Sequence, residues 1–185
     1  AQETQAGWEG RKEYGEDCLN LNIYVPARDA LEARREGRGL PVAVYIHGGA
    51  FQNGSNRDRS GKQIIRDHSF IYVSINYRLG VLGYLYLGAA LGEEYRGTGN
   101  NGTLDQLAAL RWIYDNIGEF GGDRSRITVF GESAGAKTLG ALLLKPELKT
   151  CCSQVLMASG AYQCIREEET AAAVADSFFS LAGLK

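Results

Sequence analysis

The chain has 185 residues, 44% of them apolar, and a formal net charge of −2. That much apolar material builds a packed core and excludes a disordered chain, and the length fits one domain or a large part of a bigger one. The charge balance speaks against a nucleic-acid partner, which calls for a strongly basic domain, and no apolar run is long enough for a membrane span.

The opening residues, AQETQAGWEGRKEYGEDC, lack the apolar core of a signal peptide, which leans toward a cytoplasmic protein. Residues 19–25 form the first strand candidate. Residues 27–39 (ARDALEARREGRG) are charged and read as a solvated surface connection. Residues 42–47 and 70–75 are the next strands, rich in Val, Ile and Tyr. Residues 103–117 (TLDQLAALRWIYDNI) read as a helix, apolar around much of its circumference and packed tightly on a sheet. A strand at 127–130 runs into a small-residue helix at 134–144, and a last strand follows at 155–158. In residues 167–182 Ala171, Val174, Ala175, Phe178, Leu181 and Ala182 recur at helical spacing. Glu167, Glu168 and Glu169 crowd its first turn, where the dipole favours negative charge, and Gly183 stands where a C-terminal cap belongs.

Three of the strands, VAVYI, FIYVSI and ITVF, are nearly continuous apolar runs. Strands buried on both faces read this way, so a parallel sheet covered by helices is expected, and the class is α/β.

The stretch FGGDRSRITVFGESAG (residues 120–135) carries the chemistry. A strand, then Gly131-Glu132-Ser133-Ala134-Gly135, then a helix, is the context in which a strained turn projects a serine hydroxyl above a sheet as a nucleophile. Gly131 and Gly135 are expected where strand and helix backbones come too close for a side chain. His47-Gly48-Gly49-Ala50 follows the strand VAVYI, and glycines there let backbone N–H groups approach an oxyanion.

These residues resemble a known family. FGGDRSRITVFGESAG looks like the active-site signature of the type-B carboxylesterases, the cholinesterase-like branch of the α/β-hydrolases. EDCLNLNIYVP (residues 16–26) resembles the second signature, with Asn20 where an aromatic or Thr is usual. HGGAFQNGS, SINYRLGVLGYL and GNNGTLDQLAALRWIYDNIGEFGGD are similar in the same order, so the resemblance covers roughly residues 15–183. It implies an α/β-hydrolase fold with a mostly parallel central sheet and flanking helices. It also implies a serine carboxylesterase acting on a small-molecule carboxylic ester, with no cofactor and no metal. Ser133 matches the nucleophile, and Gly49, Ala50 and Ala134 match the three oxyanion-hole amides. Glu132 matches an acidic residue that helps organise the site, and Ser159 a serine behind the catalytic acid. Cys18 matches a cysteine that bridges to an upstream partner in secreted relatives; no cysteine precedes it here.

The triad of this fold runs Ser, acid, His in chain order, and no histidine follows Ser133. His47 belongs to the oxyanion loop. His68 precedes the strand FIYVSI and is expected at the end of the sheet away from Ser133. Glu147, Glu167, Glu168, Glu169 and Asp176 follow Ser133, but the three glutamates fit a helix start better than a triad. The expectation is therefore a shortened piece. It would be a single partial domain over 1–185, the nucleophile half, lacking the C-terminal strands and inactive or nearly so until they are supplied. A non-catalytic binding or adhesion protein on the same fold is the alternative reading. Residues 81–102 and Phe51 are expected to line the substrate pocket, without naming the ester. Cys18, Cys151, Cys152 and Cys164 form no C-x-x-C pair, so a zinc site is not expected. Packed thiols are the simpler reading, and a disulfide stays open.

Overall fold

The computed structural model describes residues 2–3, 14–160, 162 and 165–184. A short antiparallel pair, β1 (Gln2–Glu3) with β2 (Tyr14–Gly15), precedes the main sheet. The main sheet holds β3 (Leu21–Tyr24), β4 (Leu40–Ile46), β5 (Ile71–Ile75), β6 (Gly122–Glu132) and β7 (Gln154–Ala158), in the order β3-β5-β4-β6-β7. The last four run parallel, and β3 lies antiparallel against β5 with Leu21 opposite Ile75.

The helices are α1 (Ala27–Arg35), α2 (Gly61–Ile64), α3 (Gly80–Tyr84), α4 (Gly88–Leu91), α5 (Asn101–Asn116), α6 (Ala134–Leu142), α7 (Pro146–Cys151) and α8 (Glu168–Leu181). This is a mostly parallel α/β sheet with flanking helices, as the apolar runs indicated.

The continuous runs are buried as expected. Val42, Val44 and Ile46 of β4, Ile71, Val73 and Ile75 of β5, and Ile127 and Val129 of β6 join one core. Leu107, Leu110 and Ile113 of α5 and Leu139 and Leu142 of α6 close over it. Each such side chain stabilises the fold by about 1.5–3 kcal/mol. The other sheet face is aromatic: Tyr45, Tyr72 and Phe130 pack with centroids 5.1–6.5 Å apart.

Two expectations, on residues 27–39 and on α8, need correction. Residues 27–35 are helix α1 rather than a loose connection. Arg28 pairs with Glu32 one turn on, and Ala33 is fully buried on the sheet side, so one small residue anchors an otherwise solvated helix. Helix α5 packs on the sheet as expected, with Gln106, Leu107, Leu110 and Ile113 buried and Leu104 and Trp112 facing solvent. Helix α8 leaves most of its apolar stripe open, with Ala175 buried and Leu181 91% exposed. Its ends do follow the sequence. Glu168 and Glu169 occupy the first turn. Gly183, at φ 66, turns the chain so that the N–H groups of Gly183 and Leu184 close on the carbonyls of Ser180 and Phe179.

Candidate active site

Strand β6 ends at Glu132 and α6 begins at Ala134, so one residue, Ser133, makes the whole turn. Its backbone sits at φ 50, ψ −112, a conformation that costs a residue with a β-carbon on the order of 1–3 kcal/mol. The surroundings hold it there. The Ser133 N–H donates to the Ala158 carbonyl at 2.9 Å, and the Ser133 carbonyl accepts from the Lys137 N–H at 3.0 Å.

The glycines around the turn are sterically required. A β-carbon on Gly131 would lie 2.5 Å from the Gly135 carbonyl carbon, and one on Gly135 would lie 2.2 Å from the Ile46 oxygen. A β-carbon on Gly160 would reach 2.5 Å from the Ser133 oxygen. Real contacts do not come this close, so strand, helix and neighbouring strand ends are packed backbone to backbone.

The second element leaves the sheet beside the turn, because Ile46, the last residue of β4, pairs with Gly131. Gly48 lies against the serine: a β-carbon there would be 3.1 Å from Ser133 Cβ and 2.5 Å from Glu132 Oε2. The Glu132 carboxylate thus caps the space over Gly48. Gly49 has φ 100, and Ala50 and Phe51 continue in the left-handed region at φ 53 and 63. The Gln52 and Asn53 N–H groups both return to the Gly49 carbonyl at 3.0 Å, and the Gly80 N–H donates to the Phe51 carbonyl at 2.6 Å. Among the described residues, the N–H groups of Gly49, Ala50 and Ala134 donate no hydrogen bond. Such groups suit an incoming acceptor.

Among the described residues, four other than glycine have positive φ: Ala50, Phe51, Ser133 and Ser159. All four flank this one place. Ser159 follows β7, directly after the Ala158 carbonyl that holds Ser133, and its side chain is exposed. Backbone strain of this kind clusters at functional sites, which makes this corner the candidate.

His47 is buried within the loop. Its Nδ1–H donates to the Gly48 carbonyl at 2.9 Å, its ring stacks on Tyr77 at 4.4 Å, and the Tyr77 hydroxyl donates to the His47 carbonyl at 2.7 Å. Burial holds its pKa below the ordinary 6.5. His68 is exposed, stacks on Phe70, and stands three residues before β5. Strand β5 is parallel to β4 and β4 to β6, with Ile75, Ile46 and Gly131 in line. Four strand steps of about 3.3 Å put the start of β5 at least about 13 Å below the level of Gly131. Of the acids after Ser133, Glu147 pairs with Arg111 at 3.1 Å and Glu168 with Arg96 at 3.2 Å.

The model of the carboxylesterase family matches residues 1–183. The chain belongs to the carboxylesterase family. Para-nitrobenzyl esterase of Bacillus subtilis (strain 168) is 39% identical over 171 residues, which cover 91% of this chain and 33% of that protein. Liver carboxylesterase 1 of Oryctolagus cuniculus is 43% identical over 147 residues, 80% of this chain and 24% of its own length. A crystal structure of a Geobacillus stearothermophilus carboxylesterase superposes with a TM-score of 0.82 at 43% identity, covering 91% of this chain and 34% of that one. The chain thus spans between about a quarter and a third of the length of these relatives.

Within this carboxylesterase chain the expected pocket lining is only partly found together. Val81, Leu82, Leu85 and Leu87 line a cavity of about 310 Å³, but Ser133 is not on its wall. Phe51 instead packs edge-on against Tyr84 at 4.8 Å, which braces α3 on the loop after β4. Cys18 and Cys151 are buried and Cys152 half-buried, all three as free thiols whose pKa burial raises. Cys164 lies outside the described residues. Among the described residues no cluster of three or more His, Cys, Asp or Glu is placed to hold a metal, and no helix is long and apolar enough to cross a membrane.

Two supporting residues escaped the sequence reading. Gly160 lets the segment after β7 approach Ser133, and the sequence Ala-Ser-Gly after a strand is its only signal. Gly54, at φ 109, closes the loop over His47, where a β-carbon would meet Nδ1 at 2.3 Å.

Proposed function

We propose that this chain is the nucleophile-bearing part of a longer serine carboxylesterase domain, with Ser133 as the attacking residue. One observation carries the reading. Ser133 stands in a strained strand-to-helix turn with Gly48 against it, and the N–H groups of Gly49 and Ala50, which follow Gly48, and of Ala134 have no partner among the described residues.

In this reading Ser133 Oγ attacks the carbonyl carbon of a small carboxylic ester as a base takes its proton. The carbonyl pair moves onto oxygen, and Gly49, Ala50 and Ala134 donate to that oxyanion. Each such donor lowers the barrier by roughly 2.7–4 kcal/mol. The pair returns, the alkoxide leaves with the proton from the base, and an acyl group remains on Ser133. Water, deprotonated by the same base, attacks the acyl carbon, and Ser133 leaves with the proton to regenerate the hydroxyl. Glu132 shapes the floor under this exchange, and Ser159 borders it. Neither His47 nor His68 suits the base: one is committed to Gly48 and Tyr77, the other is at the far end of the sheet. The base and its acid partner are assigned to the part of the relatives' length that this chain does not span. No cofactor enters the chemistry.

A non-catalytic binding or adhesion protein on the same fold is the competing reading. The intact Ser133 turn favours the enzyme. Hydrolysis of a p-nitrophenyl ester by the protein that carries this chain tests it. A burst of p-nitrophenol equal to the enzyme concentration, lost in Ser133→Ala, is expected; turnover unchanged in Ser133→Ala would refute the reading.

A further inference from the structure

We propose that a carboxamide cluster, Asn20, Asn56 and Asn76, is a positioning device that clamps the far end of the oxyanion loop and so fixes its N–H groups relative to Ser133. The inference rests on the oxyanion role proposed for Gly49 and Ala50.

The sheet itself brings these residues together. Asn20 immediately precedes β3 and Asn76 immediately follows β5. Because Leu21 is opposite Ile75, the two asparagines meet at one end of the sheet, where the Asn76 N–H donates to the Asn20 carbonyl at 2.9 Å. Ile75 is level with Ile46 and Ile46 with Gly131, so this is the end from which the oxyanion loop and the serine turn both emerge.

Asn56 lies on the loop that runs from His47 toward α2, and it is 2% exposed. Water cannot serve its polar groups, so protein must. Its N–H donates to Asn76 Oδ1 at 2.8 Å. Its carbonyl accepts from Ser74 Oγ at 2.8 Å. Its Nδ2 donates to Asn20 Oδ1 at 2.8 Å. Asn20 Oδ1 also accepts from Asn76 Nδ2 at 3.4 Å, so it is the shared acceptor of the cluster. The Asn20 Nδ2 donates to the Cys18 carbonyl at 3.2 Å, which fixes the amide with its oxygen toward Asn56.

The loop between the two ends needs such a hold. Ala50 and Phe51 are left-handed at a cost that local sequence does not repay. The near end is held by the His47–Tyr77 stack and by the Gly80 N–H on the Phe51 carbonyl. The far end is held by Asn56.

The test compares Asn20→Ala, Asn20→Asp and Asn56→Ala in the protein that carries this chain. Asp keeps the accepting oxygen, and Ala removes it. Hydrogen–deuterium exchange is followed in peptides covering residues 48–56, alongside kcat and KM for p-nitrophenyl acetate. Both Ala variants are expected to exchange about tenfold faster in 48–56, with α6 unchanged, and to lose about tenfold in kcat while KM stays within about twofold. Asn20→Asp is expected to stay within about threefold of the unaltered protein on both readouts. Unchanged exchange in 48–56 in the Ala variants, a loss confined to KM, or Asp as impaired as Ala would overturn the proposal. If the unaltered protein hydrolyses no ester, the proposed function fails, and the exchange arm still decides whether the cluster holds the loop.

Discussion

The Ser133 N–H donates to the carbonyl of Ala158, the last residue of β7, at 2.9 Å. Strand β7 thereby continues its ladder one step past the end of β6 and holds the serine turn in its left-handed conformation. The turn is not a property of the GESAG segment alone. It depends on the neighbouring strand, on Gly160 behind it and on Gly48 in front of it.

Gly131→Ala and Gly135→Ala should each destabilise the protein by about 1–3 kcal/mol, since the new methyl group meets backbone that cannot move aside. Gly118→Ala is the control, because a β-carbon there meets nothing within 4 Å. Urea denaturation midpoints check this. A Gly135→Ala midpoint equal to that of Gly118→Ala would contradict the packing described for the turn.

Gly49→Val should lower kcat by about 10²–10³ with little change in KM, because the amide it misplaces is proposed to act on charge that exists only in the transition state. The left-handed φ of 100 and the Asn53 oxygen 2.1 Å from the new β-carbon both force the loop to shift. Steady-state kinetics on a p-nitrophenyl ester decide. A rise in KM at constant kcat would assign the loop to substrate binding.

The strands were legible because they are continuous apolar runs; VAVYI and ITVF fall inside β4 and β6, and FIYVSI covers β5 with Phe70 just before it. The beginning of β6 was not, because Gly122-Asp123-Arg124-Ser125-Arg126 is polar and irregular: the register shifts between the Leu40–Gly122 and Val42–Ile127 pairs. The antiparallel direction of β3 was not legible either, since one strand's periodicity carries no information on its partner's direction. Helix α1 was hidden by its charge, its single fully buried residue being Ala33. At the site, Ser133 and the glycines stood out because strand, turn and helix are contiguous in sequence. The asparagine cluster did not, because Asn20, Asn56 and Asn76 meet only after the sheet has formed.

His47 makes stability depend on pH. Its folded pKa is held below the ordinary 6.5 by burial. Above pH 6.5 neither state binds the proton and its contribution is complete. As pH falls from 6.5 toward the lowered folded value, the unfolded chain takes up the proton first and the native state loses stability, by at most about 1.4 kcal/mol per pH unit. In His47→Asn, whose amide can still donate to the Gly48 carbonyl, this part of the slope should vanish. Denaturation at several pH values from 5 to 8 measures it, and an unchanged slope would contradict the buried, neutral imidazole.

Arg78 and Asp105 join the segment after β5 to α5 through two parallel bonds of 2.7 Å, and the Arg78 N–H adds a third to the same carboxylate at 3.0 Å. Asp105 is 7% exposed and Arg78 35%. Asp105→Ala should cost about 2–3 kcal/mol, less than a fully buried pair because the stranded guanidinium still reaches water. Thermal and urea unfolding test this. A loss below about 0.5 kcal/mol would reduce the pair to an ordinary surface bridge.

The nucleophile is tested most directly by covalent labelling. The protein that carries this chain is treated with a fluorophosphonate, digested and mapped by tandem mass spectrometry. The adduct is expected on Ser133 and on no other serine, and labelling should disappear in Ser133→Ala while the folded structure is retained. An adduct on Ser153 or Ser159, or undiminished labelling in Ser133→Ala, would contradict the assignment of Ser133.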